Sequence, residues 1–170
     1  MKNSAIIQPM LYDRQKTLLA LLDAHGGNVG SLDFQKLLLL YCLETGEKPP
    51  YEFVPYKFGG FSFTSYADKR KLIERELLVD NDRAWILTPV SADVAVAETL
   101  RSRIHRFAKR YEGVRGDALV ADVYRRYPYY AIRSEIAGKL LAGDDTALKA
   151  IEEARPATSQ PGQCTIGYEG

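Results

Sequence analysis

The chain has 170 residues, 46% of them hydrophobic and 26% charged, with a formal charge of +1. That is enough for one filled core with a short appendage and too little for two ordinary domains. The composition excludes a disordered or fibrous chain, and the near-neutral balance excludes a surface that gathers polyanions all over, so any such affinity must come from local charge.

Asp13 as N-cap and the inward stripe Leu18, Leu21 and Leu22 predict a first helix to Ala24, closed by His25-Gly26-Gly27. Ser31 predicts the cap of a second helix whose apolar residues, from Leu32 to Leu43, point most ways around the axis, as in a central buried helix. Gly46 and Pro49-Pro50 stop it. Tyr51, Phe53, Val54, Tyr56 and Phe58 follow in a Pro-interrupted segment ending at Gly59-Gly60, which suits a short strand or an aromatic arm.

Ser62 or Thr64 predicts the cap of a third helix to about Leu78, with Tyr66, Ile73 and Leu77 on one side and Lys71 and Arg75 on the other. Leu78-Val79-Asp80, the turn Asn81-Asp82 and Arg83 to Leu87 read as a small hairpin anchored by Trp85. Thr88-Pro89 reads as the cap and first residue of a fourth helix to about Tyr111, in which Ala97, Leu100, Ile104, Phe107 and Tyr111 form an apolar stripe. Its other faces are basic: from Arg101 to Arg115 there are six basic residues against the single acidic Glu112.

Asp117 predicts the cap of a fifth helix, broken at Pro128, and two further helices are expected at 132–141 and 145–153. Residues 1–155 are thus read as one domain. Residues 156–170 are read as a polar linker followed by the β-like start of a second domain. The expected fold is mainly α with a small β-hairpin (α+β): a winged helix-turn-helix core with additional C-terminal helices.

Two resemblances bear on this reading. Thr165 to Gly170 resembles the opening strand and loop of a bacterial domain-of-unknown-function family, number four-eight-eight, which implies that the chain is the amino-terminal piece of a longer protein. Phe34-Gln35-Lys36-Leu37-Leu38, then Tyr56-Lys57-Phe58-Gly59, then a helix ending in paired leucines, resembles the Panacea-type antitoxin domains, which implies a link to toxin neutralisation and phage-related loci. The winged-helix regulators resemble Glu76 to Thr88 in general layout.

The order helix, ribbon, helix from Phe61 onward predicts binding rather than chemistry. No nucleophile elbow, phosphate-cradling loop or dinucleotide fingerprint occurs, so no enzyme is expected. The leading expectation is a duplex-DNA recognition module of a regulatory or phage-defence protein. In it Thr64, Ser65, Lys69, Lys71 and Arg75 serve the reading helix, Arg83 the wing, and Arg103, Arg106 and Arg110 the phosphates.

That expectation requires the basic side chains of the third and fourth helices to converge on one face flanking the ribbon. The alternatives are a solvated third helix, or a protein-binding or dimerising module of antitoxin type, docking through the stripe Leu100, Ile104, Phe107 or the arm Tyr51 to Phe58. Tyr127, Tyr129 and Tyr130 suit packing at a helix break better than base stacking. His25, His105, Cys42 and Cys164 form no metal-ligating or disulfide pattern, so no metal and no cofactor are expected. The amino terminus lacks a signal-peptide pattern, and the longest apolar run, Leu37 to Leu43, is far shorter than a bilayer span, so a cytoplasmic protein with no membrane role is expected.

Overall fold

The computed structural model describes residues 10–46 and 48–157. Within them the protein is mainly helical with small two-stranded sheets. Most of the linker, Cys164 and the stretch Thr165 to Gly170 lie outside the described residues.

Helix α1 spans Asp13–Ala24 and α2 spans Ser31–Glu44, with strand β1 (Asn28–Gly30) between them. The α1 cap is Tyr12 rather than Asp13, because the Gln15 side chain accepts from the Tyr12 N–H at 3.0 Å. Gly30, not Ser31, occupies the cap of α2. As its sequence demands, α2 is buried on all sides from Phe34 to Cys42. It is the post around which the other elements pack.

The aromatic segment after the proline pair is an antiparallel hairpin of β2 (Val54–Tyr56) and β3 (Gly59–Phe61). Pro55 and Gly60 face inward, while Val54 and Tyr56 face out. The hairpin lies close on the core because its glycines leave no side chain. A Cβ on Gly60 would stand 2.7 Å from Leu39 Cδ2, and one on Gly59, whose φ is +94°, would stand 2.7 Å from the Tyr124 ring.

Helix α3 (Phe63–Glu74) is capped by Ser62, whose hydroxyl accepts from the Ser65 N–H at 3.2 Å. It ends before the expected Leu78 because Glu76 turns into the left-handed region at φ 59°, and the Leu77 N–H closes back on the Leu72 carbonyl at 2.9 Å. Strand β4 (Ala84–Ile86) then pairs antiparallel with β1, Trp85 opposite Val29, and not simply with the segment before it. Residues 77–79 flank the other side of β4 through a bridge between Leu78 and Leu87 and a bond from the Val79 N–H to the Ile86 carbonyl at 2.9 Å. The expected hairpin is therefore a three-segment ribbon with β4 in the middle.

Helix α4 is Glu98–Arg110, starting later than Thr88-Pro89 suggests. The Thr88 hydroxyl donates to the Glu76 carbonyl instead of capping, and Pro89–Asp93 form only a 3-10 turn. Helix α5 (Gly116–Arg126) holds Asp117 in its first turn rather than at its cap. A second 3-10 turn covers Pro128–Ala131, and α6 is only Ala137–Leu140, because the Ser134 hydroxyl accepts from both the Ile136 and the Ala137 N–H at 3.1 Å and holds the preceding residues in a turn. Helix α7 is Asp145–Ala154. Of the clustered tyrosines, Tyr127 and Tyr130 pack against the core and Tyr129 is exposed.

Replacing Gly59 by alanine should lower stability by about 2 kcal/mol or more, since it combines a disfavoured positive φ with overpacking against a buried ring. Urea denaturation of Gly59→Ala beside the wild type measures it.

Candidate recognition surface

The inward side of α3 is polar and fully engaged. Asp68, 1% exposed, accepts from Arg14 Nε at 2.7 Å and Nη2 at 3.1 Å, from Gln15 Nε2 at 3.1 Å and from the Tyr51 hydroxyl at 2.9 Å. Burial by itself pushes this carboxyl up, but the bonds from Arg14 and Tyr51 and the nearby guanidinium charge outweigh it and hold it below the usual carboxylate range.

Ser65 is completely buried: its hydroxyl donates to the Ser62 carbonyl at 2.8 Å and accepts from Gln35 Nε2 at 2.9 Å. Lys69 is buried too. Its ammonium bonds the Asn81 carbonyl at 2.7 Å and the Ala84 carbonyl at 3.1 Å and stands 4.9 Å from the Trp85 ring, stapling the ribbon to α3. Two expected base-reading residues thus hold the fold, because the same donors that suit a base edge also satisfy buried carbonyls. Arg75 is half-buried at the end of α3.

Thr64 and Lys71 are exposed on α3, with Phe63, Arg70 and Glu74. Arg83 is exposed at the ribbon tip, flanked by Asp80 and Asp82. On α4, Arg110 is paired with Glu44 at 2.8 Å and lies over the Phe107 ring, 5.6 Å from its centre. Glu44 also holds Arg126 at 2.7 Å and the Tyr111 hydroxyl, so it ties α2 to α4 and α5. Arg103 is half-buried beside Asp13 and Thr17 of α1. Arg106 is exposed, as are Arg101 and Lys109, and none of these three forms an ion pair among the described residues.

The expected convergence does not occur. Helix α1 stands between the two basic helices: Arg14 and Gln15 bond α3, while Ala20, Asp23 and Ala24 line a groove with Arg101, His105 and Arg106 of α4. Lys71 is thus exposed on α3, Arg83 at the ribbon tip, and Arg101, Arg106 and Lys109 on α4. Leu100 and Ile104, with Phe107, mostly serve the contact of α4 with the core, Ile104 and Phe107 being buried, rather than an open seam.

What the hairpin and the first turn of α3 do present is a run of rings. Tyr56, Phe61 and Phe63 are in mutual contact, with centres 4.8 to 5.8 Å apart, and Phe61 stacks on Tyr66 at 4.8 Å with the planes 18° apart. Phe63 is 61% exposed, Phe58 48%, Val54 44% and Tyr56 40%. The arm between Tyr51 and Phe58 was legible as a docking candidate; the contribution of Phe61 and Phe63 was not, though aromatic pairs on either side of Gly59-Gly60 are a hairpin signal.

Beneath these rings lies a groove of about 350 Å³ between β2–β3, α2 and α3, walled by Tyr56, Phe58, Phe61 and Tyr66 and floored by Gln35 and Lys36. Lys36 is 2% exposed, and burial pushes its ammonium down to about 8 against a weaker opposing pull from Asp33.

His25 is a packing residue, lowered to about 4 by burial and then by the Arg115 charge, and Cys42 is buried, its thiol pushed up to about 11 chiefly by that burial. Among the described residues no cluster of metal-ligating side chains occurs, and no helix is long and apolar enough to cross a membrane. Compared with protein-family models, curated proteins and solved structures, the chain matches none.

Asp68→Ala should cost about 3 kcal/mol by removing the carboxylate on which Arg14, Gln15 and Tyr51 converge. Because the carboxyl is held below its unfolded value, its contribution is present above roughly pH 4 and is lost as pH falls through the lower, folded-state value. Asp68→Asn should therefore show a shallower acid limb than the wild type in pH-resolved urea melts.

Proposed function

We propose that this protein is a recognition module that docks a partner protein through the aromatic surface of β2–β3 and the first turn of α3. The observation that carries the reading is the ring cluster of the exposed Tyr56 and Phe63 on the half-buried Phe61, with the exposed Val54 paired opposite Phe61 and the exposed Phe58 at the hairpin turn. Contiguous exposed aromatics are unusual on a monomer surface and are the residues that dominate binding energy at interfaces.

The scaffold is read as a winged helix with an insertion. Helix α1, β1, α2, α3, the segment at Leu78 and β4 follow the chain order of that fold, with β2–β3 inserted just before the helix that would read DNA. The insertion crowds the amino-terminal half of α3 with rings, and Ser65 and Lys69 are turned inward, so α3 offers apolar surface where base readers offer donors. Asp80 and Asp82 beside Arg83 also make the ribbon tip a poor phosphate contact. The resemblance of Phe34 to Leu78 to Panacea-type antitoxin domains supports a protein partner of toxin type and a place in phage defence.

A second reading, binding of duplex DNA, is favoured by a different observation: Arg101, Arg106 and Lys109 are exposed on α4 and form no ion pair among the described residues. In that reading α4, not α3, carries the contact, and it grips the backbone without reading sequence.

The double variant Tyr56→Ala, Phe63→Ala should fold normally and lose at least about tenfold in partner affinity. Affinity purification of tagged wild type and variant from the native host, with quantitative mass spectrometry, checks this; equal partner recovery by both would sink the reading. For the second reading, removing Arg101, Arg106 and Lys109 in turn should each flatten the salt dependence of duplex binding by about one unit of log-log slope.

A further inference from the structure

We propose that the groove floored by Lys36 is a chain-end site: it takes the terminal carboxylate of a partner polypeptide, with the last, apolar side chain held between the Phe58, Phe61 and Tyr66 rings. The proposal rests on the aromatic surface being a protein-docking surface and specifies which part of the partner is held.

Lys36 carries the argument. The residue is 2% exposed yet lines the groove, and its ammonium makes no ion pair and one hydrogen bond among the described residues, to the Gly60 carbonyl at 3.3 Å. Two of its three N–H donors are left for another acceptor. A buried charge in this state is costly, and an incoming anion would relieve it. Its uncharged neighbour Gln35 is held at both ends of its amide, accepting from the Ser62 N–H at 3.1 Å and donating to Ser65. The one carboxylate that influences Lys36, Asp33, is itself engaged, accepting the Gly116 N–H at 2.8 Å.

The surroundings add to this. The groove is reached past Ser31 and Leu32, in the first turn of α2, which has no side-chain cap and presents the positive end of a helix of 14 residues. Positive charge on the floor with aromatic walls above suits a single small anion attached to an apolar group. The apolar surface continues beyond the groove to Val54 and Phe63, so there is surface for the residues that precede a chain end and more of it than a lone amino acid would cover.

The test uses the full chain, ¹⁵N-labelled, titrated with the tetrapeptide acetyl-Ala-Ala-Ala-Phe bearing a free carboxylate, with its C-terminal amide, and with N-acetylphenylalanine. Saturable shifts at Leu32, Gly60 and Phe61 are expected for the free acid, with at least tenfold weaker binding of the amide and of the single residue. Phe58→Ala, at an exposed turn position, should weaken acid and amide alike, and Lys36→Met, if it folds, should abolish the preference between them. Equal binding of acid and amide, or shifts confined to α4, would overturn the chain-end site while leaving aromatic docking intact. Binding of N-acetylphenylalanine as tight as that of the tetrapeptide would overturn it in favour of a small aromatic acid.

Discussion

The buried carboxylate of Asp68 is the contact from which the arrangement of this protein follows. It sits on α3 yet draws its donors from α1, through Arg14 and Gln15, and from the segment after α2, through Tyr51. A charge this deeply placed is tolerable only with every lone pair engaged, so the three donors and the helix that carries the acceptor are held in one relative geometry. That geometry sets the rotation of α3 about its own axis. Once Asp68, Ser65, Lys69 and Leu72 are turned inward, Phe63, Thr64, Arg70, Lys71 and Glu74 are left facing out.

The packing of α1 in turn parts the basic residues of α3 from those of α4. Helix α1 holds α3 on one flank and α4 on another, so lysines and arginines close in sequence are separated by a helix in space. On α4 itself, Arg110 is drawn to Glu44, which gathers donors from two helices and fastens the C-terminal helices to the end of α2. The hairpin, in turn, is seated on α2 by two glycines and projects its rings beside the start of α3. The exposed aromatic surface thus belongs to the hairpin as much as to the helix beside it.

Much of the helical framework was legible in the sequence. Leucines at helical spacing with Gly and Pro stops marked α1 and α2 to their ends, and the boundaries of α7 followed from Asp145 and the apolar spacing behind it. Strand β1 was not visible, because Asn28-Val29-Gly30 is too short to show alternation and its partner, β4, lies far along the chain. Thr88-Pro89 carried the chemistry of a helix start, but the Thr88 hydroxyl was claimed by Glu76. At the candidate site the failure has one cause. Sequence reports that Ser65 and Lys69 can donate hydrogen bonds and says nothing about which acceptors folding places against them.

Trp85 is the single tryptophan of the chain, completely buried, edge-on to Tyr66 at 5.3 Å and beneath the Lys69 ammonium. An indole so placed emits from a cage closed to water, one wall of which is a ring that also borders the Lys36 groove. The protein thus carries its own optical probe: a change in the posture of Tyr66 should register in the fluorescence of one residue, with no label and no competing emitter of its kind.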